Sequence, residues 1–73
     1  MDTKIEKLTK LIRETIDEKG GGTIHVNSAT ASNLKPYLYH DEELEQTNAI
    51  GLYYGSQVIV DDTIKDDIAE IWN

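Results

Sequence analysis

The stretch 51-GLYYGSQVIVDD-62 decides how the second half of this chain folds. Two apolar runs flank Gly55 and Ser56, and the second run ends on paired aspartates. β-Branched and aromatic residues at this density, broken by a glycine-containing turn, predict a β-hairpin over 50–61. Glycine in the first position of a two-residue loop suits a type II′ turn, whose twist matches that of the strands it joins. Taking Gly55-Ser56 as that loop pairs Tyr54 with Gln57, Tyr53 with Val58 and Leu52 with Ile59. One face then carries Tyr53, Val58 and Val60, and the other carries Ile50, Leu52 and Ile59. A hairpin with one wetted face alternates apolar and polar residues, so apolar character on both faces predicts cover on both sides, by helices or by another chain.

Working outward toward the N-terminus, Ile5, Leu8, Leu11, Ile12 and Ile16 recur at three- and four-residue steps and predict an amphipathic helix over 3–19. Gly20 follows, a residue able to adopt the left-handed conformation that closes helices. Residues 23–27 (TIHVN) alternate and predict a short strand with Ile24 and Val26 on one face. Ser28 stands at an N-cap position ahead of a short helix that Pro36 is expected to end or kink. Residues 37–48 are polar and acidic around Leu38 and Leu44, the profile of a surface connection or a weak helix. Beyond the hairpin, Ile64, Ile68, Ile71 and Trp72 predict a closing amphipathic helix, capped by Asp62 or Thr63 with Asp66 and Asp67 in its first turn. The expected fold is α+β, one domain over residues 1–73, in the order α-β-α-β-β-α, with a sheet of about three strands.

With 73 residues and no cysteine, the chain lies near the lower size limit for a single core and has neither disulfides nor thiolate metal sites to help it. No run approaches the length of about 18 apolar residues that a membrane span needs, and the first ten residues lack the apolar core of a signal peptide. A cytoplasmic setting is therefore the default expectation.

The net charge of −7 is unevenly placed. Residues 1–36 hold six basic and five acidic side chains, whereas residues 37–73 hold one basic residue, Lys65, and nine acidic ones. An acidic field of this kind disfavours direct contact with nucleic acid or anionic membrane and favours a protein partner with a basic surface. The candidate partner-binding residues are Asp41, Glu42, Glu43, Glu45, Asp61, Asp62, Asp66, Asp67 and Glu70. In the sharpest form of this reading they imitate a phosphate backbone, as inhibitors of host defence nucleases do. The plain alternative is that they keep a small domain soluble and cap its helices.

Reactive chemistry finds little footing. Calcium loops need oxygens at alternating positions with a glycine at the turn, and the aspartates at 61, 62, 66 and 67 do not supply that spacing. His25 and His40 lack the further ligands of a zinc site, and Ser28 lies near His25 without a nucleophile elbow or a third group. The expectation is a non-enzymatic protein with no catalytic residue, cofactor or metal.

The strand TIHVNS leading into ATASNLKPYL, followed after a loop by the hairpin IGLYYGSQVIVDDTI, resembles a segment of the axial domain of tailed-bacteriophage major capsid proteins. The matching hairpin positions are Tyr54, Gly55, Val58, Ile59, Val60, Asp61 and Asp62, and the resemblance covers roughly residues 5–64. Seventy-three residues cannot hold the spine helix, N-terminal arm and peripheral sheet of a capsid subunit. The resemblance thus implies a small phage or mobile-element protein built on an axial-domain-like unit, with a structural or assembly role, self-associating or decorating a larger assembly, as the alternative to partner inhibition.

Overall fold

Ile5, Leu8, Ile12 and Ile16 are buried along one stripe of helix α1 (Thr3–Lys19) in the computed structural model, which describes residues 3–40 and 48–72. Removing each of these side chains from water is worth about 1.5–3 kcal/mol, which is what holds the helix to the sheet. Leu11 has similar spacing but lies about a quarter-turn from the centre of that stripe and is 52% exposed. Gly20 ends α1 at φ 76°, and the N–H groups of Gly20 and Gly21 both reach the Ile16 carbonyl, at 2.8 and 3.0 Å.

Strand β1 (Thr23–Val26) leads directly into helix α2 (Ser28–Leu34). The N-cap is Asn27 rather than Ser28: its side-chain oxygen accepts from the Thr30 N–H at 2.8 Å, and Ser28 is the first helical residue. The chain then tightens into a 3₁₀ turn, Lys35–Tyr37, with Pro36 at its start, where the missing donor costs nothing. Strands β2 (Ala49–Tyr53), β3 (Ser56–Val60) and β4 (Glu70–Trp72) complete the fold. Among the described residues the sheet has four strands in the order β2-β3-β1-β4, with β1 parallel to β3 and the other pairs antiparallel.

The class is α+β, as the sequence pattern predicts, but two details differ. In the hairpin the loop is Tyr54-Gly55, not Gly55-Ser56, so Tyr53 pairs with Ser56 and Leu52 with Gln57. Both loop residues have positive φ, 52° and 80°, the requirement of a type I′ turn. The deciding contact lies at Gly51, which now faces Val58: a Cβ there would stand 2.9 Å from that of Leu38, so only glycine lets the chain after α2 pack on β2. Tyr53, Val58 and Val60 still share a face because the register moves by two. A bulge between Ala49 and Gly51 brings Ile50 against the main core instead of leaving it with Leu52 and Ile59.

The closing segment is the second difference. Residues 61–69 form turns, Asp67 has φ 60°, and Glu70–Trp72 add a fourth strand beside β1, giving the order α-β-α-β-β-β. Ile64 and Ile71 are buried, but Ile68 and Trp72 are 44% and 51% exposed, so the four-residue repeat makes no buried stripe. A helix this short is marginal in water, whereas the unpaired edge of β1 offers backbone partners to any extended segment that reaches it.

Ile24, Val26, Val58 and Ile71 share the sheet face on which α1 and α2 pack, and they form one core with Ala31, Leu34 and Leu38. On the other face Ile59 and His25 are buried, and the Trp72 ring stacks on His25 with centroids 4.0 Å apart. Both helices lie on one face; on the other, Ile59 is buried but Ala49, Leu52 and Gln57 are only half-buried, so the cover expected on both sides of the hairpin is complete on one.

Candidate functional site

The parallel strands β1 and β3 end side by side, and the chain leaving β3 is tied to the start of α2 at several points. Asp61 N–H donates to the Val26 carbonyl at 2.7 Å. Asp62 Oδ1 accepts from the Ser28 backbone N–H at 2.9 Å and from its hydroxyl at 2.6 Å. Asn27 Nδ2 donates to Asp66 Oδ1, and the Asp67 N–H donates to Thr30 Oγ1 at 2.9 Å. Buried Ile64 anchors the loop between these ties. Asp61 folds back on its own segment, accepting from the Thr63 N–H at 3.0 Å and the Thr63 hydroxyl at 2.7 Å, the local pattern that aspartate favours in turns.

These donors set the charge of the loop. The Thr63 hydroxyl, then its N–H, holds the Asp61 carboxyl below its ordinary range, and the Ser28 hydroxyl and N–H do the same for Asp62. Both groups are anionic throughout the neutral range. Asp66 and Asp67 add two more carboxylates on the exposed side, and Lys4 meets Asp67 in a loose pair at 3.8 Å.

Four of the nine residues that the sequence marks as a recognition surface, Asp61, Asp62, Asp66 and Asp67, are therefore gathered in one loop at one end of the sheet. The Asp62 and Asp66 carboxylates clamp the start of α2, Asp61 closes the loop on Thr63, and Asp67 is tied to α2 through its backbone N–H; none of them lies in the first turn of a closing helix. Glu70 stands apart, exposed on β4 opposite His25, on the face away from the helices. Asp41, Glu42, Glu43 and Glu45 lie outside the described residues.

His25 and Ser28 are not brought into a nucleophilic pair: the Ser28 hydroxyl donates to Asp62, and His25 lies in the sheet against Trp72. Among the described residues, no three histidine, aspartate or glutamate side chains converge so as to hold a metal ion. None of the described helices is long and apolar enough to cross a membrane. Asn27 and Thr30 are the clamp residues that sequence reasoning passes over. Asn27 stands three residues before Thr30, which is N-cap spacing, but a strand drawn through Asn27 hides it. No protein family, curated protein or solved structure matches the chain, so its own residues carry the functional reading.

Proposed function

We propose that this protein is a non-enzymatic interaction module of phage or mobile-element type, which presents its acidic second half to a basic surface on a protein partner. The observation that carries the reading is the loop 61–67: four aspartates in seven residues, three of them with carboxylates held by donors from Thr63, Ser28 and Asn27, in a half-chain of net charge −8. Carboxylates fixed in this way lose little freedom on binding, and their field speeds encounter with a cationic surface. In the sharpest form of the proposal the loop and Glu70 take the place of phosphates in a nucleic-acid-binding groove. The resemblance to the capsid axial domain supplies the phage context, and it supports an assembly role as the second reading.

Titrating the chain against a basic, nucleic-acid-binding protein captured at low salt tests the first reading. Affinity should fall by at least about tenfold between about 50 and about 500 mM salt, because exposed charges are screened over that range. Replacing Asp67 and Glu70 by their amides should weaken binding without unfolding the domain. Duplex DNA should compete if the groove form is right. Affinity that ignores both salt and these substitutions would remove the proposal.

A further inference from the structure

The outward side of α1 carries Lys4, Lys7, Leu11, Glu14 and Glu18, at steps of three, four, three and four residues, a spacing that keeps side chains in one line along a helix. All five are exposed. The side chains of Lys7, Glu14 and Glu18 make no ion pair or hydrogen bond among the described residues, and Lys4 keeps its side chain 74% exposed beside Asp67. Two cations, an apolar residue and two anions in this order work against the helix that bears them. Lys4 and Lys7 are like-charged neighbours, as are Glu14 and Glu18, and such pairs repel. Lys4 in the first turn and Glu18 in the last also oppose the macrodipole.

The same order is complementary to itself when reversed. We propose that two copies of this chain pair their α1 helices antiparallel, about a two-fold axis through Leu11. Lys4 then faces Glu18 of the second copy, Lys7 faces its Glu14, and the two Leu11 side chains meet at the centre, an isologous contact in which every pair occurs twice. A shallow depression of about 250 Å³ beside Leu11, lined by Lys4, Lys7, Leu8 and Asp67, gives the incoming leucine an apolar seat. The order of charges points to a second copy, because α1 turned end for end itself supplies the reverse polarity that the stripe requires. One helix face falls below the roughly 1,200 Å² of a standard interface, and each copy carries net −7, so the dissociation constant is on the order of 100 µM.

Sedimentation equilibrium from about 10 µM to about 1 mM reads this directly. The apparent mass should climb from 8.2 kDa toward twice that value. Lys7→Glu and Glu14→Lys, each of which sets like charges against one another, should each weaken pairing by about tenfold, and the double variant should restore it to within about threefold. Leu11→Ser should also weaken it by about tenfold. All these positions are exposed, and far-UV circular dichroism confirms that the variants fold. A chain that stays monomeric at 1 mM overturns the proposal, as does a double variant no better than its parents, or association indifferent to Leu11. None of these outcomes touches the binding of a basic partner, so the two proposals stand or fall separately.

Discussion

The ammonium group of Lys19 donates to the backbone carbonyl of Ile71 at 2.9 Å, and in doing so it covers part of an exposed sheet edge. The Val26 carbonyl is taken by Asp61 on the β3 side. Backbone groups alternate along a strand, so Thr23 and His25 turn theirs toward β4, and Ile71, opposite Ile24, turns its own outward. The other edge is managed similarly: Leu52 on β2 exchanges two hydrogen bonds with Tyr39, at 2.8 and 2.7 Å. With both edges partly occupied, strand addition is not the obvious way for this protein to meet a partner.

Lys19→Ala should therefore loosen β4 more than the domain. Amide exchange at Glu70 and Trp72, which pair with β1, should accelerate severalfold, while global stability falls by only about 1 kcal/mol. Native-state hydrogen exchange separates the two effects. Uniform acceleration across the core would show that the bond supports the whole fold.

Asn27 caps α2 and holds Asp66 at once. Asn27→Ala should cost about 2 kcal/mol in urea unfolding, at the upper end for a cap because a buried network loses its centre. Asn27→Asp keeps the capping oxygen but sets a carboxylate against Asp66, so it should fall between the two and recover as Asp66 is neutralised by Asp66→Asn.

Gly51→Ala should destabilise by about 1–3 kcal/mol, since its new methyl would meet the Leu38 Cβ at 2.9 Å and the Tyr39 carbonyl oxygen at 3.1 Å. Thermal unfolding of Gly51→Ala alone and combined with Leu38→Ala gives a coupling energy. If the steric account is right, the double variant loses less than the sum of the singles.

Tyr54 sits at φ 52°, a conformation a bulky side chain adopts only at a cost. Asparagine accepts it readily and is favoured before glycine in a type I′ turn. Tyr54→Asn should stabilise the hairpin by up to about 1 kcal/mol, reduced by loss of the phenol's 3.0 Å bond to Asp17. A drop in the melting temperature of this variant would mean that the Asp17 bond outweighs the strain.

The pH dependence follows from the same contacts. Asp61 and Asp62 have folded-state pKa values below their unfolded ones, so the stability they contribute is complete above the unfolded value and is lost as pH falls through the folded one. Urea midpoints should drop as pH is lowered from about 5 toward 2, and Ser28→Ala should flatten the part that belongs to Asp62. At the alkaline end the Asp17 carboxylate accepts the Tyr54 hydroxyl and raises its pKa above 10.0. That contribution is full below the unfolded value and fades as pH rises through the folded one, a slope that Tyr54→Phe should remove.

Much of the fold was legible in the residues. The repeat of Ile5, Leu8, Ile12 and Ile16 marks α1 because a helix needs one wet and one dry side, and Gly20 marks its end. Alternation marks β1, and the apolar runs on either side of Gly55 mark the strand pair, although the helices cover only one of its faces. The hairpin register was not legible, because Gly51 is required only once Leu38 lies across it, a contact between segments far apart in the chain. The acidity of residues 61–67 could be read, but their loop conformation and role could not: the partners that fix them, the donors of Asn27 and Ser28 and the accepting hydroxyl of Thr30, lie more than thirty positions away.

Local periodicity, turn residues and charge were thus enough to determine the class of this protein, the limits of its first helix, the place of its first strand, and the acidity of its second half. The tertiary structure alone decided the fate of residues 61–72. Their isoleucines carry a helical spacing, yet an open edge on β1 and ready donors at the start of α2 made strand and clamp the better use of the same backbone groups. Spacing within a segment states which faces it could offer, and the partners that claim those faces come from elsewhere in the chain.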